Sequence, residues 1–295
     1  MRRTGSFCKN RIPMISASKY HSYGNDFLIV ASEQVAEENH SDFARTICDP
    51  HFGVGADGCI FVDRRPEGRF FLRIINRDGS EAGMSGNGSR CAASFLHHHR
   101  WAKQESLSLE TISGQKICRL LTQENLVWRY TTSLGEPSFA ADAIPYSGGN
   151  VSTVVDYPLE VDGESVPVTA LSVGNPQCVV FVSTLPGRDE FERLGPALET
   201  HSAFPERTNV SFVQVESRHH LKVRIWERGV GPTHSSGTGC SGAAVAAIRT
   251  ARAESPIEVD TGTGSQQVEW SEGGEILLTG DSEFVAEVEF NWSHT

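Results

Sequence analysis

The chain has 295 residues, 38% of them hydrophobic and 21% charged, with a formal net charge of −11. That length accommodates two domains of ordinary size, and the acidic balance argues against a surface for nucleic acid or anionic lipid, which needs clustered Lys and Arg. No stretch approaches the roughly 18 continuous apolar residues of a membrane helix. Seven scattered cysteines without a CxxC pair argue against a disulfide framework or a zinc site, so a reducing cytoplasmic location is expected.

Residues 1–13 carry Arg2, Arg3, Lys9 and Arg11 but no apolar core of a secretory signal. They read as a disordered leader or an upstream start ahead of Met14, with a short organelle-targeting segment as the alternative. From residue 18 the pattern predicts a strand, a turn at Gly24-Asn25 and an apolar run Phe27–Val30, then a helix over 35–49 ending near Pro50. A glycine-rich loop over 53–58 leads to strands at Cys59–Val62 and Phe70–Ile75, and Asp78-Gly79-Ser80 is a turn. Ser85-Gly86-Asn87-Gly88 opens a helix to about His99, followed by strands at Ser106–Leu109, Lys116–Leu121 and Leu126–Tyr130. Residues 137–150, rich in Gly, Pro and Ala, read as a connection. The order then repeats: strands at Val168–Val173 and Cys178–Val182, a helix at Phe191–Glu199, and strands at Asn209–Val215 and Leu221–Trp226. A second helix runs to about Arg252, and short strands at Glu275–Leu278 and Phe284–Phe290 finish the chain.

The repetition extends to motifs. Ser85-Gly86-Asn87-Gly88 recurs 151 positions later as Ser236-Gly237-Thr238-Gly239. Gly24-Asn25 recurs as Gly174-Asn175, and Asp57–Val62 stands opposite Thr208–Val213 at nearly the same offset. Asn76 and Glu227 each lie nine residues before the serine of their half. An internal duplication follows, with two similar domains at 14–145 and 146–295 facing across a cleft. A glycine-led helix start leaves backbone N–H groups free at the positive end of the helix dipole, so each copy is a half-site for an anion. Neither copy has the third glycine and following acid of a dinucleotide fingerprint.

Several stretches together resemble diaminopimelate epimerase, the cofactor-independent amino-acid epimerase. They are Tyr20-His21-Ser22-Tyr23-Gly24-Asn25-Asp26-Phe27, Asn76-Arg77-Asp78-Gly79-Ser80-Glu81, Gly86-Asn87-Gly88-Ser89-Arg90-Cys91, Gly174-Asn175-Pro176, Pro205-Glu206-Arg207-Thr208-Asn209-Val210, Trp226-Glu227-Arg228-Gly229 and Gly237-Thr238-Gly239. The resemblance implies an α/β (α+β) fold of two pseudo-symmetric domains, each of mostly antiparallel strands around a central helix. It also implies two-base proton transfer at an α-carbon between the domains, without cofactor or metal. The substrate it implies is a small amino acid of the diaminopimelate type, in lysine and peptidoglycan synthesis, and a homodimer is allowed.

Carried over by position, the resemblance places proton transfer at Ser85 and Ser236. Asn76, Asn175, Asn209 and Arg228 would hold a distal carboxylate and amine, Glu227 an amino group, and Asn25 would lie near the reacting centre. The backbone at Gly86-Asn87 and Gly237-Thr238 would hold the α-carboxylate as it becomes enediolate-like. The chain departs from the family at both proton-transfer positions, where the family has cysteine, and at Gln177, where it usually has histidine. Serine keeps the size and hydrogen bonding of the thiol without its acidity, so binding is expected to survive and turnover to be poor. Three explanations stay open: an engineered cysteine-to-serine pair, a natural member running a different isomerisation or dehydration, or a non-catalytic amino-acid-binding protein. Plainer readings compete for single residues: serine is a preferred N-cap, asparagine a turn former, and Glu227-Arg228 an ordinary surface pair. Cys91 and Cys240 read as small core residues rather than substitute bases. His97-His98-His99 is expected to hold no metal, because consecutive helical residues point in different directions.

Overall fold

The computed structural model describes residues 14–83 and 85–293, so the basic leader expected over 1–13 lies outside the described residues. The first half runs β1 (Met14–Ser22), β2 (Asn25–Ala31), α1 (His40–Ile47), β3 (Gly58–Arg64), β4 (Phe70–Asn76), β5 (Glu81–Ala82), α2 (Gly86–His98), β6 (Ser106–Thr111), β7 (Gly114–Glu124) and β8 (Val127–Ser133). The second runs β9 (Val154–Val161), β10 (Glu164–Ser172), β11 (Pro176–Val182), α3 (Arg188–Glu199), β12 (Asn209–Ser217), β13 (His220–Glu227), β14 (Gly231–Thr233), α4 (Gly237–Arg249), β15 (Ile257–Asp260), β16 (Ser265–Glu269) and β17 (Leu277–Asn291).

The halves share one connectivity. The hairpin β1–β2 has its counterpart in β10–β11. The next pairing is parallel in both, Phe27 opposite Gly58 and Gln177 opposite Asn209. Antiparallel β3–β4 matches β12–β13, and parallel β4–β6 matches β13–β15. The last strand breaks the division by sequence. After pairing with β16, β17 runs antiparallel to β8 and then to β1, so the C-terminal strand closes the first half.

Each half of the continuous 17-stranded sheet wraps a helix that is buried on almost every side. Asn87 to Leu96 of α2 are all buried, as are most of the residues from Gly237 to Ala247 of α4. Small residues permit this: a Cβ on Gly88 would come within 3.1 Å of Ile60 Cδ1, and one on Gly239 within 2.9 Å of Ile225 Cδ1. Strand side chains therefore pack onto the helix backbone. Around α2 the core gathers Tyr20, Ile60, Trp128 and Tyr130; around α4 it gathers Val213, Ile225, Val259 and Leu278. A second core in each half lies under α1 or α3.

Two elements differ from expectation. The helix expected over 35–49 is α-helical only at His40–Ile47, preceded by single 3-10 turns at Ser32–Gln34 and Glu37–Asn39. No side chain caps its N-terminus, so the first turns lack the partner that would hold them in α geometry. The two short strands expected near the C-terminus are one continuous 15-residue strand. No helix of the described residues is long and apolar enough to cross a membrane.

Candidate active site

Ser85 and Ser236 are N-caps of the two buried helices, with near-identical backbone angles (φ −138°, ψ 122° and φ −136°, ψ 120°). Ser85 Oγ accepts the Gly88 N–H at 3.0 Å, and Ser236 Oγ accepts the Gly239 N–H at 3.2 Å. The capping role is therefore real, and each cap leaves the N–H groups of the next two residues free of it. The helix starts meet: a Cβ placed on Gly237 would lie 4.0 Å from Gly86 Cα. Asn87 Nδ2 donates to Ser235 O at 3.4 Å across the junction, and to Asn25 Oδ1 at 3.2 Å.

The junction opens into a cavity of about 850 Å³ lined by Asn25, Asn76, Ser85, Gly86, Asn87, Asn175, Glu227, Arg228, Ser236, Gly237 and Thr238. Asn209 is the exception among the expected residues. Its side chain is buried behind the wall, donating to Pro176 O at 2.9 Å and accepting the Arg228 N–H at 3.0 Å, so it sets the backbone that presents Arg228. Gln177 is likewise outside the cleft, packed under Gly242 with its Nε2 donating to Asn175 Oδ1 at 2.8 Å. Asn76 closes the Asp78-Gly79-Ser80 turn through Ser80 Oγ at 3.0 Å.

Three features escaped the sequence reading. First, Glu227 and Ser236 line the same cavity. Burial raises the Glu227 pKa above the ordinary carboxylate value, the negative charge of Asp57 on the other half adds to the rise, and the neighbouring Ser236 hydroxyl opposes it. The motif spacing of nine residues was the available signal. Second, the buried carboxylate of Glu199 accepts Trp226 Nε1–H and Gly229 N–H, both at 2.8 Å, and so fixes the corner that carries Glu227 and Arg228. Third, Arg90 is fully buried on α2, with no carboxylate bonded to it among the described residues. Its Nη2 donates to Ser22 Oγ and Gln266 Oε1, each at 3.0 Å, and to Asn87 Oδ1, while Nη1 has no partner. Gln266 Nε2 in turn donates to Ser235 Oγ at 3.1 Å, so a buried cation ties together both helix starts.

The turn that presents Asn25 is held under strain. Tyr23 adopts φ 55° ahead of Gly24 at φ 86°, and the Tyr23 hydroxyl accepts the Asp281 N–H from β17 at 2.8 Å. The left-handed conformation of a bulky residue is unfavourable and persists here through that tie. Asn25 Nδ2 then donates to Asp57 Oδ2 at 2.8 Å. The cysteines nearest the helix starts do not line the cleft. Cys91 and Cys240 are fully buried, and burial pushes both thiols up to about 12.

The cavity brings together groups of both charges: two sets of helix N-terminal N–H groups, of the kind that receive anions, the Arg228 guanidinium, the Glu227 carboxyl group and the Ser85 and Ser236 hydroxyls. The family model described as diaminopimelate epimerase matches residues 17–139 and 169–285. A diaminopimelate epimerase of Pelotomaculum thermopropionicum is 39% identical over 275 residues, 92% of this chain and 98% of the relative. That of Moorella thermoacetica is 40% identical over 264 residues, covering 89% and 94%. Among solved structures, a Bacillus anthracis phenazine biosynthesis protein of the PhzF family superposes with TM-score 0.68 at 17% identity, covering 94% of this chain and 99% of that one. A hydroxyproline epimerase from Agrobacterium vitis does so with TM-score 0.65 at 14% identity, covering 94% and 91%.

Proposed function

The chain belongs to the diaminopimelate epimerase family, and from that premise we propose that it is a cytoplasmic, cofactor-independent enzyme that binds a diaminopimelate-like amino diacid between its halves and moves the α-proton slowly. The observation that carries this is the meeting of two serine-capped helix starts at one cavity. The free N–H groups of Gly86-Asn87 and Gly237-Thr238 hold the α-carboxylate, and their positive dipole ends stabilise the charge that enters it when the Cα–H bond breaks. Asn76, Asn175 and Arg228 hold the far end, with Arg228 offering a fork to a carboxylate.

A serine hydroxyl stays protonated at neutral pH, so it is a poor proton acceptor by itself. On the Ser236 face the Glu227 carboxylate lines the same cavity, and its raised pKa suits it to receive the α-proton. The electron pair passes into the substrate carboxylate. Ser85 has no carboxyl group bonded to its hydroxyl among the described residues. Proton delivery from that face is the slow step, and the two halves, 14–145 with the C-terminal strand β17 added and the remainder of 146–295, act as one donor side and one acceptor side.

Incubation with LL- and meso-diaminopimelate in heavy water tests this. Deuterium uptake at the α-carbon, by mass spectrometry, is expected to outrun the appearance of the inverted isomer. Binding by calorimetry without uptake would instead identify a non-catalytic amino-acid-binding protein, and neither binding nor uptake would refute the assignment. A second reading, an isomerisation that lifts and returns a proton on one face, draws support from the one-sided placement of Glu227. It predicts uptake with no inversion at all.

A further inference from the structure

The far end of α2 carries a cluster that the cleft chemistry does not use. Among the described residues, His98, His99 and Glu287 each bring one ligand atom to within 4.8 Å of the others. The sequence argument against a shared ion fails here for a physical reason: α2 ends at His98, and His99 is its C-cap, at φ −83° and ψ 5°. The chain leaves helical geometry at this point, which brings the two rings to 5.2 Å between centroids. His97 is separate, its Nδ1 lying 2.7 Å from the Tyr130 hydroxyl and its Nε2 3.0 Å from Gln104 O.

We propose that His98, His99 and Glu287 form a divalent transition-metal site, best suited to zinc, that pins the C-terminal end of α2 to β1 and β17. His99 Nε2 lies 3.4 Å from Glu287 Oε1. Two ligands on one tetrahedral zinc, with bonds of about 2.0–2.1 Å, stand about 3.3 Å apart, so this pair already has the required separation. The surrounding bonds preorganise it. Ser18, 2% exposed, donates its hydroxyl to Glu287 Oε2 at 2.8 Å and sits 3.0 Å from His99 Nε2, while the buried Tyr20 hydroxyl lies 2.8 Å from His98 Nδ1. The Tyr20 contact leaves His98 Nε2 to ligate and orients that ring, and zinc takes the place of the Ser18 contact at His99 Nε2. The negative end of the helix dipole also favours a cation at this position. Two imidazoles and one carboxylate leave the fourth position to water, a donor set that suits zinc better than calcium or magnesium.

The site lies about 20 Å from Ser85 along a 13-residue helix, so its function is to staple the fold and not to transfer protons. The test uses chelator-stripped protein titrated with ZnCl2 by calorimetry, and with CoCl2 as a visible-absorption probe of tetrahedral coordination. The expected result is one equivalent bound, a tetrahedral cobalt spectrum, and a melting temperature that rises with Zn2+. His99→Gln and Glu287→Gln should each weaken zinc binding roughly tenfold or more and remove the rise, while His51→Gln on a remote surface should not. Glu287 is exposed, so its variant folds. Equal zinc affinity in wild type and both variants, or no binding to wild type, would overturn the proposal.

Discussion

Removing the charge of Arg90 tests how far the cleft depends on a buried cation. Arg90→Met withdraws the guanidinium from Asn87 Oδ1, Ser22 Oγ and Gln266 Oε1. Three acceptors lose a donor, at about 1–3 kcal/mol each when they stay dry, but an unpaired buried charge, itself costing several kcal/mol, disappears as well. The two effects oppose each other, so the melting temperature should move little. Binding should not be so forgiving. Arg90 sits about one helical turn below Gly86-Asn87, and a unit charge about 6 Å from a carboxylate at an effective dielectric near 20 contributes roughly 2–3 kcal/mol. Affinity for diaminopimelate should fall about 30- to 150-fold. Arg90→Lys, which keeps the charge, should recover most of it. Calorimetry with the amino diacid reads the effect. An Arg90→Met protein that binds within threefold of wild type would refute the claim that the substrate anion lies against the two helix starts.

The paired change Ser85→Cys with Ser236→Cys should raise the rate of inversion of LL-diaminopimelate steeply, since thiols near a helix N-terminus ionise far more readily than hydroxyls; unchanged inversion would place the chemistry elsewhere. Glu227→Gln should abolish deuterium uptake while the protein still folds. Because the Glu227 pKa is raised by burial and by Asp57, the folded state holds its proton to higher pH than the unfolded chain. Its contribution to stability is therefore fully present below the ordinary value of 4.5 and is lost as pH rises through the folded pKa. Urea unfolding across that range should show the slope in wild type and not in Glu227→Gln. Gly239→Ala should destabilise by about 1–3 kcal/mol, since its Cβ would meet Ile225 Cδ1 at 2.9 Å; Gly86→Ala, with nothing within 4 Å of its Cβ, should be close to neutral by the same urea assay.

How much of this was readable from residue order depends on whether the determining contact is local. The serine-capped helices were legible because a Ser-Gly-x-Gly turn before small residues carries its own cap and its own burial signal. The continuity of β17 was not. Gly280-Asp281-Ser282 looks like a turn, yet Gly280 is there because the Arg90 guanidinium packs against it, with a Cβ falling 3.1 Å from Arg90 Cζ. That reason lies in a helix about two-thirds of the chain away. Strand β9 went unread because Tyr157-Pro158 interrupts the pattern; proline is tolerated there because, among the described residues, β9 pairs as a strand only with β10. Asn209 and Glu199 were illegible in another way. Their residue types were visible, but a side chain that holds a neighbour's backbone looks in sequence like one that holds a ligand.

The same serine serves two purposes, and this explains why a hydroxyl suits the fold at each helix start. At each helix start the hydroxyl satisfies an otherwise unpaired N–H, a contribution of about 1 kcal/mol apiece that cysteine supplies poorly. A serine at each tip therefore keeps the helix start capped, and the Gly86–Gly237 contact with it. What a hydroxyl lacks is proton affinity matched to neutral pH, which no backbone geometry supplies. Only a second group can supply it, and Glu227, which lines the cavity with Ser236 and has a raised pKa, stands on one side of the cleft. A site symmetric in its backbone is thus asymmetric in its acid–base chemistry, and that asymmetry is why exchange and inversion should separate in this chain.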